Sequence, residues 1–302
     1  MAYSVSSTVL VAAATYNLTN LNTARDELSI AANNTSKDSW ILRALAGVSG
    51  MVTTYLRRVL VPEIVQDAFD IQQDPYPYQT PGGFAELVLT RWPVLGVISV
   101  IQTTAAGSSP STKVMVQGKD YTLDPETGRL LRLNPFTGVV TTWEALPVVV
   151  QYAAGFGSIV SESGQVPSTA PYQVTVSQAA TFSCDWNVAS SSGTPFTRVS
   201  GIPAPGQYAV SAGIYTFNAT DAGTGLAVQY AVAKVPDDIV DVVLQMLTGR
   251  YMSKGRDPSL IQRETPGVGV ERFWIGTTPG QNSPFPPDVE GVLRPYKTPM
   301  VV

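Results

Sequence analysis

Few residues in this sequence have the chemistry to act on a substrate. Asp237 and Asp241 stand one helical turn apart, where two carboxylates could hold a divalent cation or share a proton. Together with Asp238 they follow Pro236, and the first turn of a helix favours carboxylates on electrostatic grounds alone, so capping is the simpler reading. Asp124 and Glu126 flank a turn, and turn chemistry explains them. Arg57 and Arg58 could hold a phosphate or a neighbouring subunit's carboxylate, or lie solvated at a helix end. Cys184 reads as a small buried hydrophobe rather than a reactive thiol. Gly118-Lys119 is followed by Asp120, and Gly267-Val268-Gly269 lacks the next glycine of a dinucleotide loop, so neither cradles a phosphate.

The exclusions are broader than the candidates. Histidine is absent from all 302 residues, which removes Ser-His-Asp and Cys-His nucleophiles, histidine metal sites and histidine proton shuttles. One cysteine leaves no intrachain disulfide and no cysteine-rich metal centre, and it points to a reducing compartment. A net charge of −4 argues against broad adhesion to nucleic acid or acidic membranes. Apolar runs at 9–14 and 94–101 are too short to span a bilayer, and residues 1–20 carry no positively charged leader. The expectation is a protein made in the cytoplasm, with no catalytic residue, no cofactor, no metal and no membrane partner.

The elements that would position such residues are mostly strands. Apolar residues make up 44% of the chain and charged ones only 14%, which disfavours long solvated helices, while 25 glycines and 23 prolines imply many turns. After a lead-in over 1–20, Thr23 to Asp26 has capping-box spacing and predicts a short helix through Ala32. From Ser36, a good N-cap, apolar residues at Trp40, Ile41, Leu45, Val48, Met51, Val52, Tyr55 and Leu56 predict a long helix closed by Arg57-Arg58. Beyond Pro62 the period becomes extended. Strands are expected at 64–71, 85–90, 97–103, 113–116 and 146–152, with a hairpin at 119–133 turning on Asp124-Pro125-Glu126-Thr127-Gly128. Residues 158–234 shift to serine, threonine, alanine and glycine, and six short strands there predict an inserted β-sandwich. A last helix follows over 235–255.

Residues 256–302 carry eight prolines yet keep Phe273, Trp274, Phe285, Leu293 and Tyr296. Prolines forbid long regular structure, and such anchors fit an arm that gains order against a partner. The fold class is therefore α+β: a helical core with an antiparallel sheet over 21–157 and 235–255, an inserted β-sandwich, and an extended C-terminal arm.

Four stretches, in order, resemble the head-to-tail adaptor (connector) proteins of long-tailed bacteriophages and gene transfer agents. They are Leu21-Asn22-Thr23-Ala24-Arg25-Asp26-Glu27-Leu28 with Ser39-Trp40-Ile41-Leu42-Arg43 and Tyr55-Leu56-Arg57-Arg58; Leu89-Thr90-Arg91-Trp92-Pro93-Val94; Asp120-Tyr121-Thr122-Leu123-Asp124-Pro125-Glu126-Thr127-Gly128-Arg129-Leu130 with Gln151-Tyr152-Ala153-Ala154-Gly155-Phe156; and Val235-Pro236-Asp237-Asp238-Ile239. The inserted module departs from the minimal adaptor, which passes straight from the Gly-Phe turn to its last helix. The resemblance implies a structural protein of the virion neck. It would form a homo-oligomeric ring, in the family a dodecamer, below the portal protein and above a stopper or tail-completion protein, with double-stranded DNA passing through. It further implies an arm that reaches the portal, with Phe273, Trp274, Leu293, Arg294, Pro295 and Tyr296 as anchors. Asp237, Asp238 and Asp241 would face the lumen, and Arg57 and Arg58 a neighbouring subunit. The competing expectation is a tail or baseplate protein whose β-module binds host-surface carbohydrate, which calls for exposed aromatics on that module.

Overall fold

A computed structural model describes residues 3–71, 86–103, 111–144, 146–254, 262–265, 269–272 and 285–297. In chain order these form β1 (Tyr3–Val11), α1 (Leu21–Glu27), α2 (Asp38–Leu56), β2 (Glu63–Ile71), β3 (Glu86–Val88), β4 (Val94–Thr103) and β5 (Thr112–Val114). Then come β6 (Tyr121–Asp124), β7 (Arg129–Arg132), β8 (Val148–Ala154), β9 (Gly157–Gln165), β10 (Gln173–Thr175), β11 (Phe182–Ser190) and β12 (Thr197–Arg198). The last are β13 (Gln207–Ser211), β14 (Ile214–Phe217), β15 (Gly225–Ala233), α3 (Asp237–Met252), β16 (Gln262–Thr265), β17 (Gly269–Arg272) and α4 (Pro287–Leu293). The fold is α+β with sheets that are antiparallel apart from the β12-β13 pair, and the chain divides into two compact units, one of residues 1–15 and 61–234, the other of 16–60 and 235–302.

The first unit is built on a five-stranded antiparallel sheet of order β1-β2-β8-β4-β5. Strand periodicity explains how it sits between two layers. On β8, Val148, Val150 and Tyr152 point into a core shared with Leu87, Tyr121 and Leu130 of the small β3-β7-β6 sheet and with Leu89 just after β3. Ala153, one residue out of phase, points to the other face, where it meets Ile64, Cys184 and Ala231. Small side chains there let the inserted module approach closely; a Cβ on Gly96 would stand 3.0 Å from the Trp186 ring. The module itself pairs β11-β15-β9 and β10-β14-β13-β12 around one aromatic-rich core that includes Phe182, Tyr208, Tyr215, Phe217 and Tyr230. Strand β9 was not expected, because its sequence GSIVSESGQ is polar and its side chains are mostly exposed. It is held by a nine-pair ladder to β15, from Gly225↔Gln165 to Ala233↔Gly157.

The second unit packs α1, α2, α3 and α4, with a β16-β17 hairpin. Buried Ile41, Leu45, Val48, Val52 and Leu56 form the core stripe of α2 at helical spacing, and Ile41 meets Leu244 and Leu247 of α3 and Ala24 of α1. Both helix starts differ from expectation. Asn20, not a capping box at Thr23, caps α1 by accepting from the Thr23 amide, and α1 ends at Glu27 rather than Ala32. Ser36 binds back to Asn34 Oδ1 in a turn, so α2 starts after it. Part of the segment expected as an extended arm is also helical. Phe285, Val289 and Leu293 recur every four residues and are almost wholly buried, because they bring an apolar stripe to a chain otherwise broken by proline. The anchors Phe273 and Trp274 lie outside the described residues.

Candidate assembly surfaces

Helix ends bring three of the sequence candidates together. Helix α2 stops at Arg57, whose left-handed backbone (φ 55°) turns the chain and leaves its side chain exposed. The next residue, Arg58, is half-buried and donates from Nη1 to the Tyr296 carbonyl oxygen at 3.4 Å, and burial lowers its pKa from the ordinary arginine value. The Tyr296 hydroxyl in turn donates to Asp238 Oδ2 at 2.8 Å, and this bond, ahead of burial, raises the phenol's pKa. Arg58, Asp238 and Tyr296, singled out for three different reasons, thus form one chain of contacts across α2, α3 and the turn after α4.

The same turn is fixed by its neighbours. Tyr55 donates to Glu290 Oε1 at 2.7 Å and packs edge-on against Phe285. Burial and then Glu290 push its pKa up to about 12. Lys297 sits 4.4 Å over the Tyr55 ring, and Gln245 donates to Asp288 at 3.1 Å. Leu293 is fully buried and belongs to this unit's own interior, so it is not displayed as an anchor. Arg294 and Pro295, by contrast, are exposed. Asp237, Asp238 and Asp241 are exposed as well, at the positive end of α3.

In the sheet unit the polar residues that organise the structure were missed by reading the sequence. Asp120, 2% exposed, accepts from Lys113 Nζ at 2.8 Å and from the Val116 amide at 2.9 Å, with Arg132 Nη1 at 3.7 Å. Burial alone would raise its pKa; the Lys113 bond and the other contacts outweigh it and leave the carboxyl below its ordinary value. Asp67, fully buried, accepts from the Tyr152 hydroxyl at 2.7 Å and from the Thr90 amide and hydroxyl. Arg91 pairs with buried Glu63. The Leu89-Thr90-Arg91-Trp92-Pro93 string is thereby tied to the central sheet at two consecutive residues.

In the module, Tyr208 and Tyr215 both donate to Asp185, with Arg198 Nε at 4.0 Å. Burial raises the Asp185 pKa against those contacts, and burial followed by Asp185 pushes Cys184 up to about 12, where no reactive thiolate forms at neutral pH. The only warning in the sequence was an aspartate between Cys184 and Trp186 in a strand-like stretch. A cleft of about 890 Å³ opens beside this group between Leu10, Val11 and Ala12 and the β12-β13-β14 surface, where Arg198, Val210 and Ile214 line it. None of the module's aromatic rings is exposed; they are buried or half-buried, most of them in its core. Among the described residues no group of three or more histidine, cysteine, aspartate or glutamate side chains could hold a metal ion.

No family model matches the sequence, and no curated protein does. Two solved structures are similar along nearly the whole chain. A chain in the neck of an empty gene transfer agent particle, computed with C6 symmetry, aligns at 12% identity and a TM-score of 0.43, covering 98% of this chain and 97% of that one. A chain in the virion of a native gene transfer agent particle aligns at 11% identity and a TM-score of 0.37, with the same coverage.

Proposed function

We propose that this protein is a structural virion component of the head-to-tail adaptor type: a subunit of a ring below the portal that joins the capsid vertex to the neck and leaves a bore for double-stranded DNA. One observation carries the reading. The inserted module leaves and rejoins the sheet unit at a single point, where the Lys234 amide donates to the Phe156 carbonyl at 2.9 Å and Gly157 pairs with Ala233. Removing residues 157–233 leaves the order helix, helix, sheet, last helix, which is the order in which the four family-like stretches occur. The strings also have structural work that fits their chemistry. Arg91 and Thr90 anchor the sheet, and Asp124 caps its own turn by accepting from the Glu126 amide and the Thr127 hydroxyl.

The portal contact, on this reading, is made by Arg294, Pro295, Phe273 and Trp274, with Tyr296 holding the turn after α4 in place. Exposed Asp237, Asp238 and Asp241 line the bore. A stopper or tail-completion protein would meet the opposite end of the ring. The test is co-sedimentation of the full chain with portal rings. Binding is expected, and Arg294→Ala should weaken it while leaving the melting temperature unchanged. A chain that stays in the supernatant at every concentration would overturn the assignment. The carbohydrate-binding alternative calls for aromatic platforms that the module keeps inside.

A further inference from the structure

The two edges of the five-stranded sheet are unlike each other, and both are open among the described residues. One edge is β1, nine residues long, with the sequence YSVSSTVLV. It carries no charge and no proline, and residues 4–10 are exposed, among them Val5, Val9 and Leu10. Nine residues in a strand present about 30 Å of unpaired amides and carbonyls. Monomeric proteins normally blunt such an edge with lysine, proline or a covering loop; here the sole irregularity is a register shift between Val9 and Val11.

The opposite edge is β5, all of it exposed, with Val114 at 65%. Lys113 on it is neutralised by Asp120. Val116 follows at 55% exposure, and the Asp120 backbone links it to Leu133, the start of an ordered loop. That loop is fixed by Asn134, whose Oδ1 accepts from the Phe136 and Thr137 amides, and it displays Phe136 at 94% exposure beside Val139 and Val140. An apolar knob held rigid in water loses little freedom on docking.

Strand direction decides which partner fits both edges. All four pairings in the sheet are antiparallel, so β1 and β5, at the ends of an odd-numbered sheet, run the same way. Copies related by rotation about a ring axis keep that direction, and β5 of one then meets β1 of the next in parallel. A two-fold dimer would instead pair β1 with β1 and leave β5 open. Neither edge holds an uncompensated charge that would repel the other.

We propose that β1 of one copy pairs with β5 of the next, the exposed loop around Phe136 packing on the neighbour, so that the sheet continues from subunit to subunit. The contact is heterologous, as a closed ring requires, and it rests on the ring reading above. Cysteine cross-linking of the full chain tests it, because the native Cys184 is buried and silent. Ser6→Cys on β1 and Thr112→Cys on β5 are prepared separately, and the pools are treated with a short bismaleimide alone and mixed, with and without portal rings. The expected result is a linked dimer in the mixed pool that is missing from either pool alone and lost when Val5→Lys and Val9→Lys are added to the β1 variant. Cross-linking by Ser6→Cys alone, or none in the mixed pool, overturns the proposal. Rings seen on portals without the mixed cross-link leave the ring reading standing and remove this one; the cross-link with only open chains does the reverse.

Discussion

Asp120 and Leu293 mark the two ways in which single residues hold this molecule together. Asp120 is a buried carboxylate whose depressed pKa makes it a source of stability above its unfolded value of 3.8, lost as the pH falls through the lower folded value. Asp120→Ala should cost about 1–3 kcal/mol at neutral pH, because the Val116 amide loses its acceptor and Lys113 its close carboxylate, while Arg132 keeps its bonds to the residue 120 and Leu133 carbonyls. In urea titrations between pH 5 and pH 2 on the ordinary scale of carboxylate titration, the variant should show a flatter dependence than the parent. Leu293→Ala should lower the unfolding free energy by about 2–4 kcal/mol, whereas a side chain kept free for a partner would leave it unchanged. The aspartates of α3 were legible because helix starts have a sequence signature. Asp67 and Asp185 were not, since their partners come from other strands tens of residues away; Asp120 takes Lys113, Val116 and Arg132 from nearby in the chain, but a lone aspartate at a turn gives no sign that it is buried.

At the scale of elements, periodicity carried most of the information. The α2 stripe was visible as spacing because it buries one face, the 119–133 hairpin from its turn residues, and β8, buried on both faces, from its run of β-branched residues. Strand β9 was invisible for the converse reason: its ladder to β15 is backbone chemistry beneath a polar sequence. Helix α4 was hidden by the surrounding prolines, although Phe285, Val289 and Leu293 had the right spacing. The joint of the inserted module is the strictest element. A Cβ on Gly157 would stand 1.9 Å from the Val232 carbonyl oxygen, and one on Gly155, at φ 138°, would stand 2.6 Å from the Pro62 nitrogen. Gly157→Ala should therefore destabilise the sheet unit by about 1–3 kcal/mol through forced backbone movement, read as an earlier transition by circular dichroism. An unchanged melt would mean that the joint is looser than its geometry.

For the whole molecule, charge and assembly must agree. A bore for packaged DNA works best when it does not neutralise phosphates, since each contact of that kind releases counterions and adds affinity. Exposed carboxylates at the start of α3 suit that demand. Asp237→Lys with Asp241→Lys should leave assembly intact and slow genome release, more so at low salt than at high; an equal release rate at both would place these residues away from the DNA. The proposed class rests on the order of short strings along the chain, while the partners that would complete the assembly leave no such mark on one subunit's sequence. The most direct measurement is a cryo-EM reconstruction of the assembled particle at its portal vertex. This chain is expected there as a closed ring immediately below the portal, with an open axial bore. Density for it at the tail tip, or an unclosed arrangement with no axial channel, would contradict that expectation.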